Sequence, residues 1–534
     1  MLFREFQTIC GRFEWFCGSI LNVVLFEASL VPTDQSIFMR PNHLFRSSLA
    51  IAIACSLIAV QVWGEDHLLT IGGGYSPSGN QASLERNVLF YQRLLEEQGM
   101  GQLQHDIYFA DGDAKGADLQ VMDRASVPKA NRLMAEFFGS EENLGLTYRN
   151  HQVPEVQGQT SPGNIRDWFN TKGKNLKRGD RLLIYVTAHG NRSGNRRNEH
   201  DTTIAMWNNK SIKMTELVKM LDQLPDGVEV VTVMVQCHAG GFARFMFDGG
   251  DPDRGLAKQR RIGFFATVHD RPAAGCTPEI DEASYVEYSS FFWAAIGGRD
   301  RSGKVISIAD YDGNGVVSFD EAHAYVILTA DTIDLPIKTS GEFLAVKSKF
   351  SDGDDGLLAN DVAYPQILEL ATASQKAILE GLSEQLELSG DNRIVDAWKA
   401  TQTRRGSGRN RQPASRGQDK SREVGREIAS DLKRRWPALA NVLNPLAIEL
   451  ITTRSHELVA AIEEHPKYER YRELKVEAKS TLSEQKRKVK FDRFLRTADN
   501  VIMAENLKRM DDKTAFEQFQ ALVQSEGRTL KEVH

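Results

Sequence analysis

The sequence has few cysteines and no strong excess of charge of one sign. Five cysteines occur in 534 residues, and 66 basic side chains face 72 acidic ones, which gives a formal net charge of −6. So few thiols exclude a disulfide scaffold and a cysteine-rich zinc module. The near balance of charge gives no overall reason to expect nucleic-acid binding. The negative mean hydropathy excludes a protein built mainly of membrane spans.

Long apolar runs are also scarce, and the one near the N terminus is short. Residues 47–60 carry no charge, Arg46 precedes them, and Val62 and Gly64 occupy the −3 and −1 positions of a cleavage site after Gly64. This pattern predicts a secretory signal and therefore a secreted or periplasmic protein. Fourteen residues are few for a spanning helix, which needs about 20. The alternatives are a retained membrane anchor, a buried apolar segment or, less well matched because Ala52 is a poor −3 residue, a lipoprotein signal at Ala54-Cys55.

The segment that follows alternates apolar runs with amphipathic stretches. The runs predict strands over 67–71, 106–110, 181–188, 228–236 and 262–268. The stretches between and after them predict helices over 83–97, 130–138, 164–171, 214–223 and 285–296. Strands that are almost wholly apolar suit a sheet covered by helices on both faces. We therefore expect an α/β fold with a mostly parallel sheet, whose functional residues lie at the carboxyl ends of the strands.

Two of these strands end in reactive residues. His189-Gly190 follows the run 181–188, and Cys237 follows the run that begins at Val228, 48 residues beyond the histidine. An imidazole can convert a thiol into the nucleophilic thiolate, and nearby glycines let backbone N–H groups approach a substrate carbonyl. Three of the five cysteines precede residue 60, so beyond the signal only Cys237 and Cys276 remain. His238 is a rival base.

The pattern His-Gly, then Gln-Cys-x-x-Gly-Gly, resembles the caspase–hemoglobinase clan of cysteine peptidases, and most closely its legumain-type (C13) branch. The resemblance covers about residues 66–300. It implies a caspase-like fold, with His189 as general base, Cys237 as nucleophile, and the N–H groups of Gly190 and Cys237 as oxyanion donors. The chain departs from legumains at His238-Ala239, where they have an acidic residue and serine. The P1 preference is therefore open.

A second motif, residues 310–321, matches the twelve-residue EF-hand loop. Gly315 lies at the sharp turn, and oxygen donors at positions 1, 3, 5, 7, 9 and 12 suit Ca²⁺. The expected ligands are Asp310, Asp312, Asn314, Val316 (through its carbonyl), Ser318 and Glu321. A helix is expected over 322–329, whereas the residues before the loop resemble a strand more than the usual entering helix. The alternative is an acidic turn that binds no metal.

Together these features predict a secreted thiol protease: an endopeptidase that hydrolyses peptide bonds in a protein or peptide substrate and binds calcium. The alternatives are a catalytically inactive calcium-binding interaction protein with a caspase-like domain, and a transpeptidase. No nucleic-acid partner and no membrane anchor after cleavage are expected. The expected organisation is an upstream extension and signal over 1–64 (the signal itself over 39–64), a peptidase domain over 65–300, an EF-hand segment over 301–364, a helical segment over 365–400, a basic flexible linker over 401–422 and a charged helical tail over 423–534.

Overall fold

The computed structural model describes residues 64–402 and 413–531. The strands of this part of the chain are β1 (Asp66–Gly73), β2 (His105–Phe109), β3 (Leu119–Met122), β4 (Leu146–Arg149), β5 (Val156–Gly158), β6 (Arg181–Ala188), β7 (Gly190–Asn191), β8 (Thr203–Met206), β9 (Lys210–Lys213), β10 (Glu229–Met234), β11 (Arg260–Phe265) and β12 (Ile337–Lys338). Seven of them form the central sheet, in the order β12-β11-β10-β6-β1-β2-β5. All neighbours are parallel except β12, which runs antiparallel to β11.

Helices surround this sheet and continue beyond it. Those described are α1 (Ala82–Glu97), α2 (Lys129–Phe138), α3 (Pro162–Thr171), α4 (Met214–Leu221), α5 (Tyr288–Gly297), α6 (Phe319–Thr329), α7 (Thr339–Lys347), α8 (Tyr364–Leu370), α9 (Ala373–Leu386), α10 (Arg393–Gln402), α11 (Pro413–Arg435), α12 (Pro445–Ile451), α13 (Ser455–Glu463), α14 (Tyr468–Arg509) and α15 (Lys513–Glu526). Every residue of β6 and β10 is buried, because both faces of the sheet are covered.

The predicted fold class is confirmed at the level of a mixed α/β protein with a mostly parallel central sheet, flanking helices and a helical C-terminal region. The five predicted strands correspond to β1, β2, β6, β10 and β11. The strands that the sequence did not predict are short or exposed. Strand β12 has two residues, and only one residue of β9 is buried. Such segments lack the apolar run or the alternation that identifies a strand.

The central sheet and its core extend across the predicted boundary at residue 300, and the division of the chain into domains stays a prediction. Strand β12 comes from the predicted EF-hand segment, yet it completes one edge of the central sheet. The predicted tail also joins this layer, since Leu522 and Leu530 belong to the core around the sheet. The Arg181 guanidinium of β6 donates to the Leu530 carbonyl at 2.5 Å. Residues 64–402 and 413–531 accordingly belong to one compact unit.

The predicted basic linker over 401–422 is only partly tested. Residues 403–412 lie outside the described residues, whereas α11 already begins at Pro413, within the predicted linker. The correction at this end has a simple cause. Polar and basic residues keep enough helix propensity to extend a helix whose later turns are anchored by buried side chains such as Ile428 and Leu432.

The predicted signal, with Cys10, Cys17 and Cys55, lies outside the described residues, which begin at residue 64. Secretion therefore stays a prediction. Among the helices that the structure describes, none combines the length and the apolar character needed to cross a bilayer.

Candidate active site

His189 follows the last residue of β6, at the carboxyl edge of the sheet. Its Nε2 lies 2.8 Å from the carbonyl oxygen of Gly79. A carbonyl can only accept a hydrogen bond, so Nε2 carries the proton and Nδ1 keeps the lone pair of the neutral ring. Burial lowers the pKa of His189 below its ordinary value, and the Gly79 carbonyl partly opposes this shift. The ring is thus a neutral imidazole with one basic nitrogen.

The Gly79 carbonyl belongs to a tightly braced loop after β1. An added Cβ at Gly74 would lie 2.1 Å from this carbonyl oxygen, so the loop can close only with glycine at that position. Asn80 is fully buried, and its Oδ1 accepts the Gly74 N–H at 3.0 Å. Its Nδ2 donates at 3.1 Å to both the carbonyl and the carboxylate of Asp118. The loop therefore holds the His189 ring rather than a phosphate.

Cys237 lies in the turn between β10 and the short 3-10 helix Ala239–Met246. Its half-buried thiol contacts Ala273: the S–H donates to the Ala273 carbonyl at 3.6 Å, and the Ala273 N–H donates to Sγ at 3.3 Å. Burial raises the pKa of Cys237, the Ala273 N–H opposes the shift, and the negative charge of Asp334 adds to it. Cys237 therefore rests as a thiol.

The structure brings the two predicted residues to neighbouring strand ends. Strands β6 and β10 are parallel neighbours, with Val186 opposite Met234. An added Cβ at Gly190 would lie 2.1 Å from the Cys237 carbonyl oxygen, so the His-Gly segment packs directly on the cysteine turn. Within residues 64–402 and 413–531, no hydrogen bond joins the His189 ring to the Cys237 thiol. Catalytic hydrogen bonds are often loose until substrate binds.

His238 adopts the left-handed conformation (φ 62°) and is turned into other contacts. Its Nδ1 lies 2.9 Å from the carbonyl of His269, and its own carbonyl accepts the hydroxyl of Thr202 at 3.0 Å. Burial lowers the pKa of His238 as well. Through these two hydrogen bonds, one at its Nδ1 and one at its carbonyl, His238 links the cysteine turn to two neighbouring loops.

The predicted oxyanion donors stay predictions. The Ala205 N–H of β8 donates to the carbonyl of His189 at 2.8 Å. This pattern makes Gly190 and Ile204 a non-hydrogen-bonded pair, so β8 does not use the Gly190 N–H. The N–H of Cys237 belongs to the same turn as its thiol.

The predicted calcium loop brings three of its carboxylates together. Oxygen atoms of Asp310, Asp312 and Glu321 lie within 4.8 Å of one another. Glu321 is buried: its Oε1 accepts the N–H of Tyr311 at 2.7 Å, and its Oε2 accepts the N–H of Ser318 at 2.9 Å. This set of hard oxygen donors fits Ca²⁺.

The other predicted ligands make contacts within the same loop. The Asn314 Oδ1 accepts the Val316 N–H at 2.9 Å, and the Ser318 hydroxyl donates to Glu321 Oε2 at 2.9 Å. Ser318 is also the N-cap of α6, which starts at Phe319, three residues before the predicted start. Residues 306–310 form no helix, so the loop has an exiting helix but no entering one.

Comparisons with known proteins identify no family. No family model matches the chain, and no curated protein matches it. One solved structure that matches is the crystal structure of a structural-genomics target from Geobacter sulfurreducens, at 9% sequence identity and a TM-score of 0.27, covering 50% of this chain and 88% of the other. A likeness this low supports no argument about fold or function.

A third group, which the sequence did not reveal, lies beyond the end of β2. Ligand atoms of Asp111, Asp118 and His151 lie within 4.8 Å of one another. Burial raises the pKa of Asp111 to about 6, and the charge of Asp118 adds to the shift. Both ring nitrogens of His151 already have partners, the Gly112 carbonyl at 2.7 Å and the Val153 N–H at 3.3 Å. The backbone N–H of His151 donates to Asp118 Oδ1 at 2.8 Å, so the group supports Asp118 and, through it, Asn80.

Proposed function

We propose that the protein is a cysteine-type endopeptidase in which His189 and Cys237 form a catalytic dyad. The observation that supports this most strongly is the pairing of β6 with β10, since each strand is followed by one of these residues at the same edge. The Gly79 carbonyl adds support, because it leaves Nδ1 as the basic atom of His189. A caspase- or legumain-like relationship belongs to the same proposal.

The reaction begins from a neutral thiol and a neutral imidazole. As Cys237 Sγ attacks the substrate carbonyl, its proton passes to Nδ1 of His189, and the N–H groups of Gly190 and Cys237 stabilise the oxyanion. The imidazolium then gives the proton to the leaving amine, the C–N bond breaks, and an acyl-enzyme remains. His189 next takes a proton from water, whose oxygen attacks the thioester. As the C–S bond breaks, the imidazolium returns this proton to the sulfur, which releases the acid and restores the thiol.

Calcium would act on stability within this proposal. Asp310, Asp312, Asn314, Val316, Ser318 and Glu321 would hold the ion by oxygen atoms, which supplies charge neutralisation for three converging carboxylates. Glu321 lies in the first turn of α6, whose apolar side chains Phe319 and Ala322 are part of the main core. Ion binding would thereby stabilise the start of a core helix. Secretion through the N-terminal signal completes the proposal.

One observation favours the alternative of an inactive calcium-binding interaction protein. The Ala273 carbonyl lies on the thiol, and burial raises the pKa of Cys237. In an active enzyme this carbonyl oxygen would have to move away from Sγ, because it repels the negative charge of the thiolate.

A peptide-library cleavage profile tests the proposal, with Cys237→Ala as the critical variant and Cys276→Ala as the matched control, since Cys276 is the other free thiol of the described chain. We expect cleavage by the native chain and by Cys276→Ala, and none by Cys237→Ala. Cleavage that survives in Cys237→Ala would refute the assignment. The library also separates cuts after Asn or Asp from cuts after basic residues, and added amine would reveal transpeptidation by product mass.

A further inference from the structure

A loop that contacts the thiol of Cys237 comprises residues 271–276, and we call it the thiol loop. Its Ala273 both accepts from and donates to the thiol. Near one end, the His238 N–H donates to the Arg271 carbonyl at 3.0 Å. Near the other, Gly275 packs so closely on Glu287 that an added Cβ would lie 2.1 Å from the Glu287 Cβ. The loop is therefore anchored on both sides of Ala273.

The centre of the thiol loop has a third anchor, the carboxyl group of Asp334. This side chain is 2% exposed, and its Oδ1 accepts the Ala274 N–H at 2.6 Å. Asp334 is itself fixed, because the buried Arg493 of α14 donates to its carbonyl at 2.9 Å. The Asp334 N–H also donates to the hydroxyl of Thr332 at 3.3 Å. A buried side chain far along the sequence thus holds the residue next to the one that touches the nucleophile.

We propose that Asp334 is a positioning residue for the nucleophile: by accepting the Ala274 N–H it fixes the thiol loop so that the Ala273 N–H donates to Sγ of Cys237. The proposal rests on the proposed function in that it takes Cys237 as the nucleophile. Asp334 acts through the loop and does not touch the substrate.

The chemistry explains why the position of Ala273 matters. In the thiol form, the S–H donates to the Ala273 carbonyl, and that carbonyl becomes repulsive as soon as the proton leaves. The Ala273 N–H has the opposite effect, because a hydrogen bond to the charged form favours the thiolate. Small movements of the loop would change the balance between repulsion by the carbonyl and stabilisation by the N–H. A buried acceptor that fixes the Ala274 N–H favours the N–H contact.

Asp334 also brings charge close to the thiol, so charge and position must be separated. The charge of its carboxyl group acts on the thiol of Cys237 and is itself influenced by the charges of Arg493 in α14 and of Glu287, the residue before α5. Burial raises the pKa of Asp334 to about 7. The variants Asp334→Asn and Asp334→Ala both remove the carboxylate, but only asparagine keeps an oxygen that can accept the Ala274 N–H. Comparing these two variants therefore separates the effect of loop position from the effect of the Asp334 charge.

The experiment measures alkylation of Cys237 by iodoacetamide against pH in the full chain, with the modified peptide identified by mass spectrometry. We expect the midpoint in Asp334→Asn to lie about one pH unit below that in Asp334→Ala, because only asparagine retains the N–H contact to the thiolate. Coincident midpoints, or a lower midpoint in the alanine variant, would overturn the proposal. If Asp334→Ala does not fold, Asp334→Glu replaces it: the charge stays while the acceptor moves, so the midpoint must rise above the native one, and a native midpoint would overturn the proposal.

This readout needs no peptide hydrolysis, so the two proposals can fail separately. A split of the midpoints in a chain that cleaves no peptide would support the role of Asp334 and refute the peptidase. Cleavage that depends on Cys237, together with coincident midpoints, would support the peptidase and overturn the role of Asp334.

Discussion

The proposed catalytic pair and the predicted calcium loop are built in opposite ways. All the predicted calcium ligands lie within twelve consecutive residues, and three of their carboxylates converge through local turns and the N-terminus of one helix. His189 and Cys237 lie at the same edge of the sheet only because two distant runs become neighbouring strands, and their surroundings come from still more distant loops. The first region can hold its shape by local hydrogen bonds, whereas the second depends on the whole sheet.

The difference teaches where each region is vulnerable. Glu321 has four donors within eleven residues of itself. The His189 ring depends on a carbonyl 110 residues away, and the Cys237 thiol depends on a loop that Asp334 holds in place. The geometry around His189 and Cys237 should therefore be sensitive to substitutions far away in the sequence. The calcium loop should be sensitive mainly to substitutions within the loop itself.

The largest effect should come from the base. His189→Ala removes the proton acceptor, and we expect kcat/KM to fall by about 10²–10⁴-fold while the calcium-dependent rise in Tm is unchanged. His238→Ala is the matched comparison, with a loss below about tenfold expected because its Nδ1 is bonded to the His269 carbonyl. Steady-state kinetics on a cleaved peptide measures both. A larger loss of kcat/KM in His238→Ala than in His189→Ala would make His238, and not His189, the general base.

The sequence predicted these two regions to different depths. The runs that became β6 and β10 are almost wholly apolar, so their strands and the residues that follow them could be predicted, and the calcium loop could be aligned position by position. The Gly79 carbonyl, Asn80 and Asp334 could not, because a backbone carbonyl has no residue type of its own and a buried Asn or Asp resembles any polar residue of a loop. Their roles follow from tertiary contacts alone. The pairing of β12 with β11 escaped prediction for a related reason, since two residues show no periodicity.

Calcium should give the next largest effect, in stability. At a calcium concentration 100 times its Kd, binding adds about 2.7 kcal/mol to the free energy of unfolding, so Tm rises relative to EDTA. Glu321→Gln should abolish this rise because it removes a charged ligand while keeping the shape of the side chain. Thermal melts of both proteins with Ca²⁺ and with EDTA provide the measurement. Equal Tm values in the native chain with Ca²⁺ and with EDTA would refute calcium binding by this loop.

A smaller and pH-dependent effect should follow from Asn80→Asp. The new carboxyl group would replace an N–H donor that now faces the Asp118 carboxylate at 3.1 Å. Two carboxylates in contact repel unless they share a proton, so the Gly79 carbonyl should be displaced at neutral pH and restored at acid pH. We expect kcat/KM near pH 7 to fall about tenfold, as for a loss of about 1.4 kcal/mol, with partial recovery near pH 5. A variant that is equally impaired at every pH would contradict this account of the loop.

The smallest expected effect is a displacement of the acid limb of activity. Because burial lowers the pKa of His189, its ring stays neutral, and therefore basic, to a lower pH than an exposed imidazole. The rate should fall only as pH drops through this lowered pKa, so the midpoint of the acid limb should lie below the ordinary histidine value of about 6.5. A profile of kcat/KM against pH measures it, and a midpoint at or above 6.5 would contradict the burial argument.

The central claim is that Cys237 is the nucleophile and His189 its base. The most direct test is covalent trapping with a peptide-based electrophile, followed by mass spectrometry of the intact chain and its peptides. We expect one adduct per chain, on Cys237, formed more slowly in His189→Ala and absent in Cys237→Ala. An adduct on Cys276, or labelling of Cys237 at the same rate with and without His189, would contradict it.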